Sequence, residues 1–218
     1  MSLQVEVVAR NLAAVRERVG PGVEVLVATK YVADDDLELL RLAGVSLVGE
    51  NRTDALQRKQ QRFGDAFTWD FIGHLQSRKA RDVIGRVRLV HAVDSLSVCE
   101  QFQLRAQAPV DCLLQVDMAG EASKAGVPPG AVDAFLQAVE PMTNVHLRGL
   151  MTMPPLSRDA ELVRPFFAGL RELRDRLGPR WSGRHDLTEL SMGTSQDYPV
   201  AAEEGATIVR VGSVLFAE

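Results

Sequence analysis

Eight short apolar runs, most followed by a stretch of helical periodicity, constrain this chain more than anything else in it. They cover residues 25–30, 45–49, 69–73, 87–93, 112–117, 145–151, 187–191 and 207–211. Runs this short and this rich in β-branched residues read as strands buried on both faces, the pattern of a parallel sheet. An amphipathic helix opens the chain, with Val5, Val8, Leu12, Val15 and Val19 on one face, and Gly20-Pro21-Gly22 ends it. Asp34-Asp35-Asp36 suits the start of a second helix. There Leu37, Leu40 and either Leu42 or Ala43 turn inward before Gly44 stops it. Further helices are expected over 53–63 and 77–85, from Ser95 to about Ala108, after Pro128-Pro129, over 157–177 and near Ala201. In the 157–177 helix, Phe166, Phe167, Leu170, Leu173 and Leu177 share one face, and the arginines and glutamates form a solvated one. Eight strands alternating with helices in 218 residues imply a single α/β (β/α)8 TIM barrel with an extra N-terminal helix, one domain over 1–218. The alternative is an open doubly wound sheet, for which neither a GxGxxG fingerprint nor a P-loop is present.

In such a barrel the residues just after each strand converge on one mouth. Here they are Lys30, Asn51, His74, Asp94, Asp117, Met151 with Met153, and the loops after strands seven and eight. Lys30 is the single obvious amine. Partly wrapped by apolar walls, it is expected to be desolvated, which lowers its pKa and makes it a nucleophile toward an aldehyde. Taken alone, it reads equally as a surface lysine capping a strand.

The loop Ser191-Met192-Gly193-Thr194-Ser195-Gln196-Asp197 runs into a helix, so small residues, hydroxyls and free backbone N–H groups coincide in an anion cradle. A tight turn with a helix cap is the plainer reading of that loop. Strand eight ends Arg210-Val211-Gly212-Ser213, again with a glycine and a hydroxyl, and the loops after strands seven and eight are where barrels bind phosphate. A lysine plus a phosphate cradle points to pyridoxal 5′-phosphate (PLP), which needs an amine for its aldehyde and donors for its phosphate. Arg210 is placed to face the pyridine nitrogen, where a fixed cation opposes protonation; a salt bridge at the barrel mouth is its alternative. His74 reads as a proton relay or as a hydrogen-bonded structural residue. His91, His146 and His185 lack carboxylate or cysteine neighbours at ligand spacing and read as structural or solvated, and Glu203-Glu204 as a solvated helix end.

A net charge of -4 gives no general pull toward nucleic acid or an anionic membrane. The first residues carry no basic and apolar leader, and no apolar run reaches membrane-spanning length. Cys99 and Cys112 sit among apolar neighbours without CxxC spacing, as buried thiols do in a reducing compartment. A soluble, cytoplasmic monomer is expected, with no nucleic-acid or membrane partner.

Several stretches carry a family resemblance: Ala28-Thr29-Lys30, Val48-Gly49-Glu50-Asn51, Phe71-Ile72-Gly73-His74-Leu75-Gln76-Ser77-Arg78-Lys79, Arg148-Gly149-Leu150-Met151, Ser191-Met192-Gly193-Thr194-Ser195 and Arg210-Val211-Gly212-Ser213. In order and over nearly the whole chain, it resembles the pyridoxal phosphate homeostasis proteins of the YggS/PROSC type, single barrels similar to the N-terminal domain of alanine racemase. The resemblance implies that Lys30 forms the internal aldimine, that Arg210 meets the pyridine nitrogen and that Asn51 lies near the ring. It also implies that Ser191, Gly193, Thr194, Ser195, Gly212 and Ser213 surround the phosphate; His74 and Met151 are expected to line the same cofactor pocket from their places after strands three and six. Members bind the cofactor and influence vitamin B6 and amino-acid balance without established turnover. This chain has Thr194 where the family more often has methionine, and Tyr31-Val32-Ala33 after the lysine differs from the common pattern. Gln115, Asp117, Glu121 and Lys124 resemble a family-typical loop after strand five, with no chemical role assigned.

The functional expectation is a non-catalytic PLP-binding protein that stores, delivers or scavenges the cofactor, with PLP-dependent apo-enzymes as the recipients. The alternative is a racemase-type enzyme, which needs acid/base groups on both faces of the bound cofactor. Only Tyr31 and Tyr198 are available as the second group. The side chain of Tyr31 is expected to diverge from its neighbour Lys30, and Tyr198 falls in the helix beyond the cradle. With the sequence stopping soon after strand eight, no further domain is expected to supply a base. A barrel that binds another phosphorylated metabolite, with Lys30 as counter-ion, is the third possibility.

Overall fold

The computed structural model describes residues 4–120 and 125–217; Glu121 and Lys124 of the loop after strand five lie outside them. The eight strands are β1 (Glu24–Ala28), β2 (Leu47–Glu50), β3 (Thr68–Phe71), β4 (Leu89–Val93), β5 (Val110–Gln115), β6 (Val145–Met151), β7 (Glu189–Thr194) and β8 (Ile208–Val211). All pair in parallel in chain order, and β8 closes on β1 with Leu26 opposite Arg210 and Val27 opposite Val211. The sheet is a closed barrel, so it has no free edge.

Outside it run α1 (Val5–Val19), α2 (Leu37–Leu42), α3 (Thr53–Phe63), α4 (Leu96–Arg105), α5 (Val132–Val139), α6 (Arg164–Trp181) and α7 (Tyr198–Glu203). Alternation along each strand sends one set of side chains into the barrel and the other toward the helices. Leu26, Leu47, Leu89, Ala92, Leu113, Met151 and Ile208 form the apolar filling of the interior. A second, larger layer joins the outward faces to the helices, among them Val8, Leu12, Val15 and Val19 of α1. Burying each such side chain contributes roughly 1.5–3 kcal/mol before entropy is subtracted. A short 3₁₀ turn (Ser213–Leu215) follows β8, and α1 packs on it and against α7 and α2. Asn11 ties helix to tail by donating to the carbonyl oxygens of Leu215 and Ala217, at 3.2 and 2.8 Å. The N-terminal helix thus fills the eighth outer position.

Several boundaries differ from the sequence expectation. Ala43 is buried and Leu42 exposed, which decides the inward position of α2. The expected 77–85 helix is a 3₁₀ turn, Ser77–Asp82. The long helix starts at Arg164 rather than at 157. The Asp159 side chain accepts the Glu161 amide at 3.0 Å and holds a short 3₁₀ turn (Ala160–Val163) ahead of it, and Pro165 enters the first turn, where its missing N–H costs nothing. β7 extends to Thr194 because the ladder with β8 continues to Arg210.

Candidate functional site

Every strand is parallel, so all eight carboxyl ends open on one face. Lys30 stands two residues beyond β1. The Thr29 carbonyl accepts the Val32 amide at 3.0 Å, which makes Lys30 and Tyr31 the two corner residues of a turn. Both are exposed, and the Lys30 ammonium lies 4.7 Å from the centre of the Tyr31 ring. Two expectations are thereby corrected: apolar walls do not wrap Lys30, and Tyr31 does not diverge from it. The turn turns both side chains out to the rim, where a cation and an aromatic face attract.

The backbone beneath this turn is held firmly. Thr29 is buried, and its hydroxyl donates to the Glu50 carboxylate at 2.7 Å. The buried Lys59 ammonium, from α3, pairs with the same carboxylate and donates to the Thr29 carbonyl at 2.8 Å. The second Glu50 oxygen accepts the Asn51 amide at 3.2 Å. One buried ion pair therefore fixes the residues before Lys30 and at Asn51. Asn51 follows β2 against Gly73, where any Cβ would overlap its carbonyl oxygen, so only glycine admits this approach of the two loops. The side-chain oxygen of Asn51 is buried without a hydrogen-bond partner among the described residues. His74, on the other side of Gly73, is exposed, with Nδ1 3.2 Å from Asp94. Met151 is buried in the barrel filling, and Met153 is half exposed.

At the same mouth, near the end of β7, Gly193 has φ +90°, and a Cβ there would stand 2.6 Å from Ala201. Thr194 donates to the Asp197 carboxylate from both its amide (2.6 Å) and its hydroxyl (3.0 Å). The Ser195 hydroxyl accepts the amides of Gly212 (2.9 Å) and Val214 (3.3 Å), joining the loops after β7 and β8. Ser213 is exposed beside this junction.

Ser191 and Arg210 lie deeper, inside the barrel, both buried. Arg210 donates from Nη1 to the Ser191 carbonyl (2.8 Å) and hydroxyl (2.5 Å), and from Nη2 to the Thr152 carbonyl (3.0 Å). All three partners are neutral oxygens, so the salt bridge considered for Arg210 is not what holds it. Burial pushes its guanidinium down to about 10, against the opposing pull of Asp197.

His91, expected to be structural or solvated, is structural: its ring is buried between Ser191 Oγ (2.8 Å from Nδ1) and Asp70 Oδ2 (3.0 Å from Nε2). Burial holds His91 below the ordinary histidine range despite Asp70. Burial alone would raise Asp70, but hydrogen bonds from His91 and Arg88 hold it low. His146 likewise has carboxylates, Asp111 at 2.7 Å and Asp186 at 3.4 Å; at the end of α7 Glu203 is exposed as expected, whereas Glu204 is half-buried, and both pair with Arg164. Both cysteines are buried and free, with burial pushing Cys99 up to about 12, so neither is a nucleophile.

The family model "Alanine racemase, N-terminal domain" matches residues 3–218. A pyridoxal phosphate homeostasis protein of Aquifex aeolicus is 38% identical over 209 residues, covering 93% of this chain and 91% of that one. Another, from Deinococcus radiodurans, is 36% identical over 217 residues, covering 94% and 97%. The solved structure of PipY from Synechococcus elongatus with PLP bound superposes with a TM-score of 0.86 at 33% identity, covering 96% of this chain and all of that one. An alanine racemase of Corynebacterium glutamicum, 12% identical with a TM-score of 0.77, shares the fold.

Proposed function

The chain belongs to the pyridoxal phosphate homeostasis protein family, and from that membership and the site geometry we propose that it binds PLP at the barrel mouth as a Schiff base on Lys30, without turning over a substrate. In this role it takes part in vitamin B6 and amino-acid homeostasis, works as a cytoplasmic monomer, and passes the cofactor to PLP-dependent apo-enzymes. The observation that carries the reading is the pairing of an accessible amine at the end of β1 with a buried cation on β8, the strand beside it.

The residues present fit the group. A buried Asn51 oxygen without a partner suits a donor on a ring. Arg210, bonded only to neutral oxygens, keeps its positive charge available to a ring nitrogen. The amides of Gly212 and Val214, which the Ser195 hydroxyl oxygen occupies here, converge on one oxygen as donors to a phosphate would. When bound, the cofactor supplies an aldehyde that condenses with a primary amine and releases water. Lys30 offers that amine, Asn51 and Arg210 orient the ring, and the loops after β7 and β8 hold the anion.

Tyr31 bears on the racemase alternative. Its ring stacks on the Lys30 amine itself, so it offers no group on the opposite face, which two-base proton transfer requires. The test is to purify the protein with PLP, confirm the yellow absorbance, and incubate it with a single-enantiomer amino acid in deuterated water. The expected result is a cofactor band with no exchange at the α-carbon; exchange with racemisation would establish the enzyme reading instead.

A further inference from the structure

A barrel interior is ordinarily packed with branched apolar side chains. Here part of it is a line of polar groups reaching from one end of the barrel toward the other. Glu24, at the start of β1, holds Arg88 with both carboxylate oxygens 2.7 Å from Nη1. Arg88 donates to both oxygens of Asp70, at 3.0 and 2.7 Å. Asp70 meets His91, His91 meets Ser191, and Ser191 meets Arg210. Four strands, β3, β4, β7 and β8, each contribute one residue to the segment from Asp70 to Arg210.

The directions of these bonds are forced. Arginine has no acceptor and an ionised carboxylate has no donor. Ser191 Oγ must therefore accept from Arg210 and give its own proton to His91 Nδ1. His91 must then be neutral, with its remaining proton on Nε2 donated to Asp70. A second proton on the ring would leave the Ser191 proton without an acceptor among the described residues. The charged groups acting on the ring, Asp70, Arg88 and Arg210, are all members of the same line. Although serine, histidine and aspartate stand in a row, they do not form a nucleophile: Ser191 is fully buried, and its oxygen is engaged by a cation.

We propose that Asp70 and His91 are positioning residues for the cofactor site, locking the Arg210 guanidinium in one orientation through Ser191 although neither reaches the mouth. This rests on the cofactor reading above. Arg210 has free rotations along its stem, and the Ser191 hydroxyl is one of three anchors on its head group among the described residues. That hydroxyl is itself fixed only while His91 takes its proton. Breaking the line at His91 or Ser191 lets the guanidinium shift, which changes the field at the ring it faces.

The experiment compares PLP-loaded wild type with Ser191→Ala, His91→Phe and His91→Gln, reading the ratio of the bound cofactor's absorption bands at one pH. Glutamine can accept through its carbonyl and donate through its amide, so it preserves the polarity of the line. Ser191→Ala and His91→Phe are expected to move the ratio by about threefold, the change that half a pKa unit produces, with His91→Gln close to wild type. If His91→Phe does not fold, Ser191→Ala, which removes a single hydroxyl, carries the same comparison. Folded variants with the wild-type ratio, or His91→Gln as altered as His91→Phe, would overturn the relay alone. A wild type with no cofactor band would overturn the cofactor reading and the relay together.

Discussion

The Lys59 ammonium, buried under α3, donates to the main-chain carbonyl of Thr29 at 2.8 Å, one residue before Lys30, the amine proposed to hold the cofactor. It also neutralises Glu50, whose carboxylate is buried and bound to Thr29 and Asn51. Removing one partner of a buried pair leaves the other charged and dry, which typically costs about 3–5 kcal/mol. Lys59→Met is expected to lose that much in urea unfolding, and the double variant Lys59→Met with Glu50→Gln to recover part of it. A loss below about 1 kcal/mol would mean that the pair does not hold the turn.

Ser195 joins the loops after β7 and β8 through the amides of Gly212 and Val214. Ser195→Ala combined with Ser213→Ala is expected to weaken PLP retention by about tenfold, or roughly 1.4 kcal/mol. Affinity for pyridoxal, which lacks the phosphate, should stay unchanged. Equal loss for both ligands in an absorbance titration would place the effect outside an anion cradle.

Gly193 combines a left-handed φ of +90° with close packing on Ala201. Gly193→Ala adds backbone strain of about 1–3 kcal/mol and a clash with the helix that follows the loop. A correspondingly lower midpoint in thermal or denaturant unfolding is expected, together with weaker PLP binding. An unchanged midpoint would show that the loop relaxes freely.

Acid should destabilise the fold well before its carboxylates titrate. Burial, aided by Arg184, pushes His185 down to about 4, and burial also lowers His91. An unfolded chain protonates its histidines near about 6.5, so between that pH and about 4 it binds protons that the folded state refuses. Stability is therefore full above the window and falls as pH drops through it, by no more than about 1.4 kcal/mol per pH unit for each histidine. Urea midpoints measured at about pH 7 and about pH 5 should show the loss, and His185→Gln should reduce it. Identical midpoints at the two pH values would contradict neutral, buried rings.

The closed barrel was legible in the sequence because eight apolar runs alternate with helical periodicity, and β6 matches the expected run at both ends. What was hidden depends on register. His91 and Asp70 are 21 residues apart and meet only because β3 and β4 are paired neighbours, with Asp70 opposite Leu89. Ser191 read as the last residue of the seventh run and the first of the cradle because Met192-Gly193-Thr194 lacks a strong strand signal; the ladder with β8 carries the strand on to Thr194, and the Ser191 side chain meets Arg210. Lys30 read as partly buried because it ends an apolar run, whereas β1 stops at Ala28 and the turn from Thr29 to Val32 swings it to the rim. The carboxylate partners of His146 and the arginines on Glu204 come from distant elements, which local spacing does not reveal.

The most direct measurement is borohydride reduction of the PLP-loaded protein followed by peptide mass mapping. A phosphopyridoxyl group on the peptide containing Lys30, lost in Lys30→Ala while the fold persists, is the expected result. Label on a different lysine such as Lys79, or no label at all in a protein that still binds PLP, would contradict the assignment of Lys30 as the point of attachment.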